Sequence, residues 1–143
     1  MHTFIRTVET DTAADLVWAY LADFTTINEW DPRASRTRRV EGDGGVGSSF
    51  ETQVRFLGRT VPMRYEITRL EPYRRIEWRG SSSFVRAEDV IDVWSRDGRT
   101  VVDYTSSYEY QRAPRLMDRL MARPLDRLGD EARAGLDRTL AAG

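Results

Sequence analysis

The segment from Pro114 to Ala142 reads PRLMDRLMARPLDRLGDEARAGLDRTLAA, and in it Leu116, Met117, Leu120, Met121, Leu125, Leu128, Ala132, Leu136 and Leu140 recur every three or four residues. That spacing lines apolar side chains along one stripe of a helix. No other stretch carries a long helical pattern, and this one follows a run of strand-like segments. The stripe needs a cover, and a strongly curved antiparallel sheet wrapped around the helix supplies one. Such a wrap encloses a space between helix and sheet that side chains need not fill, and that space is the expected functional site.

Within the helix, Pro124 removes one backbone donor and crowds the preceding turn, so a kink or a division is expected there, with the segment before it acting as a movable lid. Gly129 and Gly135 each cost roughly 1 kcal/mol relative to Ala and let a ligand or a strand approach closely. Arg115, Arg119, Arg123 and Arg127 follow at four-residue intervals, with Asp118 and Asp126 close by. They form either a solvated face, the usual fate of a charge run, or a surface that steers an anionic membrane or an acyl carrier protein.

At 143 residues the chain suits one domain, residues 1–143, with one core. It contains no Cys, which excludes disulfides, thiolate metal sites and cysteine nucleophiles and suits a cytoplasmic protein. All 22 basic residues are Arg, so lysine Schiff bases and P-loop lysines are absent, and Gly42-Asp43-Gly44-Gly45-Val46-Gly47 reads as a turn rather than a phosphate cradle. His2 is the only histidine, which rules out a Ser-His-Asp arrangement or a multi-histidine metal site within one chain. A formal net charge of −1 lacks the basic footprint of a nucleic-acid binder. The first residues, Met1 to Arg6, hold no apolar run of signal-peptide length, nothing approaches a membrane span, and a soluble intracellular protein is expected.

From the N-terminus, Thr3 to Thr10 reads as a strand ending at Asp11-Thr12, whose side chains can cap a helix. Leu16, Val17, Tyr20, Leu21 and Phe24 have helical spacing up to about Asp23, and a second short helix spans roughly Thr25 to Glu29 before Trp30-Asp31-Pro32. Strands follow at Arg36 to Glu41, Ser48 to Leu57, Val61 to Leu70, Arg75 to Arg79, Phe84 to Trp94 and Thr100 to Tyr110. Pro62 argues for an edge or a bulge at the start of its strand. Gly58-Arg59 reads as a tight turn, and Asp97-Gly98 is the clearest hairpin signal. Short connections between consecutive strands mean an antiparallel meander, so dinucleotide binding is not expected. No internal repeat or linker interrupts the order.

The run Ala14-Asp15-Leu16-Val17-Trp18-Ala19-Tyr20-Leu21-Ala22-Asp23-Phe24, then Trp30-Asp31-Pro32, Gly45-Val46-Gly47 and Tyr65-Glu66-Ile67-Thr68, set in this order of elements, resembles the START-like (SRPBCC) superfamily. The nearest resemblance is to its polyketide cyclase/dehydrase and lipid-transport branch, over nearly the whole chain. It implies an α+β helix-grip fold: a curved seven-stranded antiparallel sheet around a long C-terminal helix, two short helices after the first strand, and a deep cavity for an apolar ligand. The matched motifs explain packing and turns. None is a catalytic signature, and the superfamily spans enzymes, carriers and receptors, so fold does not settle function.

If the concave face meets the helix, strand alternation turns Phe50, Val54, Phe56, Met63, Tyr65, Ile67, Ile76, Trp78, Val102, Tyr104 and Tyr108 inward. These residues either fill a core or line a cavity, and Tyr65, Trp78, Tyr104 and Tyr108 add donors to ring surface. The polar candidates are Arg86, Asp89 and Asp103. Asp89 either shares the face of Ile91 and Val93 and enters the cavity, where burial makes it a possible acid or base, or pairs with an Arg on the solvated face. The many arginines favour the second. Asp103 is expected to face out. Trp30-Asp31-Pro32 is placed near the cavity mouth, as a helix stop with a packed tryptophan. The candidate ligand-binding set is Phe50, Val54, Phe56, Met63, Tyr65, Ile67, Trp78, Asp89, Tyr104 and Tyr108, with no metal and no cofactor. The expected partner is a small hydrophobic ligand, bound or transported by a monomer or homodimer, with weak contact to a membrane surface or acyl carrier; the alternative is a cyclase/dehydrase acting on a carrier-bound polyketide.

Overall fold

The computed structural model describes residues 1–111 and 115–142. Its order is β1 (His2–Thr10), α1 (Ala14–Ala22), a 3-10 turn (Phe24–Thr26), α2 (Ile27–Trp30), β2 (Ala34–Glu41), β3 (Ser49–Phe56), β4 (Arg59–Glu71), β5 (Arg75–Ser81), β6 (Val85–Arg96), β7 (Arg99–Tyr110) and α3 (Leu116–Ala142). The strands form one antiparallel sheet in the order β1-β7-β6-β5-β4-β3-β2. The meander runs from β2 to β7, and β1 closes beside β7. This is the helix-grip arrangement that the family resemblance implies.

Turn chemistry sets the hairpins. Asp97 (φ 52°) and Gly98 (φ 77°) both occupy the left-handed region, as a two-residue turn matched to strand twist requires. In the β3–β4 turn the left-handed pair is Leu57 and Gly58, one residue earlier than the sequence suggests. Pro62 pairs with Gln53 of β3, while β5 begins to pair only at Arg64. It therefore sits where β4 has one neighbour, and its missing donor is not needed.

The expected cap at Asp11-Thr12 does not form. Ala13 takes the N-cap position without a side-chain bond, and the Thr10 and Thr12 hydroxyls both donate to the Leu140 carbonyl near the end of α3. The first strand is thus tied to the last helix.

On α3 the residues Leu125, Leu128, Ala132, Leu136 and Leu140 are buried, which is the expected stripe. Leu116 and Leu120 are not part of it, at 60% and 59% exposed. The expected start at Pro114 lies outside the described residues. Pro124 does not divide α3, which continues through it. Gly129 and Gly135 do serve close approach: a Cβ at 129 would lie 2.8 Å from the Phe4 ring of β1, and one at 135 would overlap the Trp30 carbonyl. At 135 the close neighbour is the end of α2, not a strand.

Candidate functional site

Strand parity decides what faces α3. Phe50 and Thr52 on β3, Met63, Tyr65 and Ile67 on β4, Ile76, Trp78 and Gly80 on β5, Ala87, Asp89, Ile91 and Val93 on β6, and Val102, Tyr104 and Ser106 on β7 are all buried. The expected space is largely filled. Phe24, delivered by the turn after α1, has its ring centroid about 5 Å from those of Phe50, Tyr65 and Trp78, and Trp30 meets Tyr104 edge to face at 5.6 Å.

What remains open is an apolar cleft of about 50 Å3 at one end of the sheet. Val54, Phe56, Met63, Tyr65 and Tyr108 of the candidate set line it. Phe50, Ile67, Trp78, Asp89 and Tyr104 lie deeper, in the core behind it. Val61, Phe84, Val85, Tyr110, Leu125 and Leu128 complete the lining and are absent from the candidate set. Val61 shares the parity of Met63, Val85 that of Ile91 and Val93, and Tyr110 that of Tyr108, while Leu125 and Leu128 are on the helical stripe, so for these five the sequence carries a signal. The β3–β4 turn, the β5–β6 loop and the start of α3 all lie at this end by strand direction. Leu57, Phe84, Leu116 and Leu120, each about half exposed or more, gather there.

Behind the cleft is a polar centre. Asp89 is 3% exposed and shares its face with Ile91 and Val93, which overturns the favoured reading of a solvated carboxylate paired with Arg. Alternation along β6 outweighs the number of arginines, because turning Asp89 out would expose Ala87, Ile91 and Val93 together. Trp78 Nε1 donates to Asp89 Oδ2 at 2.8 Å, and the Tyr104 hydroxyl donates to Oδ1 at 3.3 Å. Burial pushes the Asp89 pKa up to about 6, against the opposing effect of Ser106, Trp78 and Tyr104, with the charge of Asp31 adding to the rise. Ser106 faces Asp89 across the β6–β7 ladder. Its Oγ is close enough to act on that carboxyl, yet it is the one buried side-chain polar atom among the described residues with no partner in hydrogen-bond geometry. Burial also holds the phenols of Tyr65, Tyr104 and Tyr108 well above the usual range.

Asp31 is a second buried carboxyl that the sequence reading treats only as part of a helix stop. It is 6% exposed and accepts the Arg33 backbone N–H at 3.0 Å. Desolvation raises its pKa to about 6, opposed by that N–H and by the Arg33 charge. The Arg33 guanidinium itself is taken by Glu131 of α3. Trp30 is packed as expected, at 1% exposed, but neither it nor Asp31 lines the cleft. The placement of this tripeptide near the mouth is therefore corrected: close packing on Gly135 and Tyr104 draws it inward.

Arg86 is exposed on the outer face of β6. It borders a larger trough, about 730 Å3, with Arg64, Arg79, Glu66, Glu88 and Glu109. Three arginines are matched there by three glutamates, with Arg79 3.8 Å from Glu88, so the side-chain charges balance, and Tyr65, Gly80 and Tyr108 border this trough as well. Asp103 faces out as expected, accepting from Thr7 at 2.6 Å and from Trp94 at 2.8 Å. Arg115, Arg119, Arg123 and Arg127 are exposed. Ion pairs of α3 run instead through Asp118, Asp130 and Glu131, and Asp126 hydrogen-bonds His2.

Solved structures of similar fold include the Zhui aromatase/cyclase from Streptomcyes sp. R1128, with a TM-score of 0.82 at 18% identity over 96% of this chain and 92% of that one. A protein of Thermus thermophilus gives 0.80 at 15% identity, covering 96% of each chain. A START superfamily protein from Mycobacterium smegmatis gives 0.73 at 15% identity over 97% of this chain and 99% of that one. At these identities the likeness is one of fold. Among curated proteins none matches the sequence. The sequence profile described as "Polyketide cyclase / dehydrase and lipid transport" matches residues 1–141. The chain therefore belongs to the polyketide cyclase/dehydrase and lipid-transport family.

Proposed function

We propose that the chain, as a single unit over residues 1–143, binds a small hydrophobic molecule such as a lipid, a polyketide or another aromatic compound between the sheet and α3. The observation that carries this reading is the apolar cleft, walled by Val54, Phe56, Met63, Leu125 and Leu128 and ended by the two phenols Tyr65 and Tyr108. A ligand of ordinary size needs roughly 300–1,000 Å3, far more than the 50 Å3 that stands open. Binding therefore requires side chains at the cleft to move, and flexible Met63 and the rings of Tyr65 and Phe84 are placed to do so. Native mass spectrometry of freshly purified protein, followed by denaturing extraction, tests the proposal. A discrete apolar adduct supports it, and empty protein that also ignores a panel of lipids and polycyclic aromatics contradicts it.

Cyclase/dehydrase activity on a carrier-bound polyketide is the second reading. Asp89 favours it, because a carboxyl with a pKa near 6 can give and take a proton close to neutral pH. The same observation has a plain structural account, since Asp89 also anchors Trp78 and Tyr104 in the core. The exposed arginines at the start of α3, beside exposed Leu116 and Leu120, suit weak contact with an acyl carrier or an anionic membrane surface. A cytoplasmic location, proposed from the lack of Cys, accords with either reading.

A further inference from the structure

Tyr65, Gly80, Ala87 and Tyr108 form one rung across β4, β5, β6 and β7. Two of the smallest residues thus lie between two tyrosines. The ring of Tyr65 uses that room, for a Cβ at position 80 would overlap it. Gly80 is not among the positive-φ residues, so the chain path does not call for glycine there. The ring does.

One rung deeper stand Trp78, Asp89 and Ser106. Trp78 and Tyr104 already donate to the two oxygens of Asp89; Ser106 Oγ is fully buried and close to both the Asp89 carboxyl and the Tyr108 phenol, yet has no partner in hydrogen-bond geometry among the described residues. Leaving a buried hydroxyl unsatisfied is unfavourable. A hydrogen-bonding group arriving from the cleft would relieve it.

We propose that the Tyr65 ring stands where the ligand goes. When it swings off Gly80, the cleft deepens over Gly80 and Ala87 as far as Ser106. The space admits a flat aromatic ring whose leading hydroxyl or carbonyl hydrogen-bonds Ser106 Oγ. This inference rests on the binding function proposed above and gives it a ligand class: a planar aromatic molecule polar at one end. Nothing polar resists the swing, because the Tyr65 hydroxyl makes no hydrogen bond among the described residues, in contrast to that of Tyr104. Met63 and Tyr108, at the cleft's inner end, would flank the bound ring.

The test is isothermal titration of the whole protein with β-naphthol and with naphthalene, for the wild type, Ser106→Ala and Tyr65→Ala, together with a crystal structure of the wild-type β-naphthol complex. The wild type is expected to bind β-naphthol at least fivefold more tightly than naphthalene, and Ser106→Ala to remove that preference. Tyr65→Ala should tighten both, since no ring has to be displaced. The crystal should show Tyr65 turned off Gly80 and the naphthol oxygen on Ser106. An unchanged preference in Ser106→Ala overturns the proposal, as does a complex with Tyr65 still covering Gly80. If Tyr65→Ala does not fold, those two observations decide by themselves. Equal binding of both molecules by the wild type defeats the polar end while leaving apolar binding intact, whereas binding of neither contradicts the binding function itself.

Discussion

Trp78 Nε1 and Asp89 Oδ2 lie 2.8 Å apart in the middle of the sheet, on side chains that are 2% and 3% exposed. The bond joins neighbouring strands at a register pair of β5 and β6, and it gives the buried carboxyl one of its two donors. Replacing Asp89 by Ala leaves the Trp78 N–H and the Tyr104 hydroxyl without their acceptor and should destabilise the fold by about 2–4 kcal/mol. Asp89→Asn keeps an acceptor for Trp78 and should cost much less, or stabilise at alkaline pH. Urea unfolding of the two variants at one pH checks the difference.

Asp89 and Asp31 also set a pH dependence. Each has its pKa raised on folding from 3.8 to about 6, so between those values the folded chain holds more protons than the unfolded one. Stability should therefore be greatest on the acid side of this window and fall as pH rises from about 4 through about 6, by at most about 3 kcal/mol per carboxyl. Unfolding midpoints across that range test the sign. In Asp89→Asn the slope should shrink, leaving the share of Asp31.

Gly135 offers a packing test. Alanine is the better helix former by about 1 kcal/mol, yet a Cβ here would overlap the carbonyl of Trp30, a backbone atom that cannot step aside. Gly135→Ala should destabilise by about 2–4 kcal/mol, while Gly129→Ala, whose Cβ would press on the Phe4 ring at 2.8 Å, should cost less because a ring can tilt. Thermal unfolding ranks the two.

Leu125, whose side chain lines the cleft, should show a different pattern. Leu125→Trp should fill the 50 Å3 space and weaken binding of apolar ligands at least tenfold, and Leu120→Trp, on an exposed position of the same helix, should not. Titration calorimetry with naphthalene compares them.

The architecture is legible because each level of the pattern agrees with the next: period-two strands, left-handed turn residues at Asp97-Gly98, and one period-3.6 stripe ending the chain. Inward-facing residues on β3, β4 and β7 follow from parity alone. The same parity applies to Asp89, but the count of arginines pulls the reading the other way unless the apolar neighbours Ala87, Ile91 and Val93 are weighed above it. The Tyr65–Gly80 contact cannot be read from sequence, since it depends on the register between β4 and β5, which Tyr65 and Gly80 themselves do not announce. Asp31 escapes notice for a related reason: its burial arises when Gly135, more than a hundred positions later, admits the backbone of α2. The smallness of the cleft depends on how far Phe24 and Trp30 reach into the core, and no local spacing reports that.

The most direct measurement is methyl NMR of protein labelled at Met, Leu and Val, titrated with naphthalene. Shifts should concentrate on Met63, Val54, Val61, Val85, Leu125 and Leu128, around the cleft, while exposed Leu16 and Val46 stay still. Shifts confined to exposed methyls, or none at saturating ligand, would contradict a binding site between the sheet and α3.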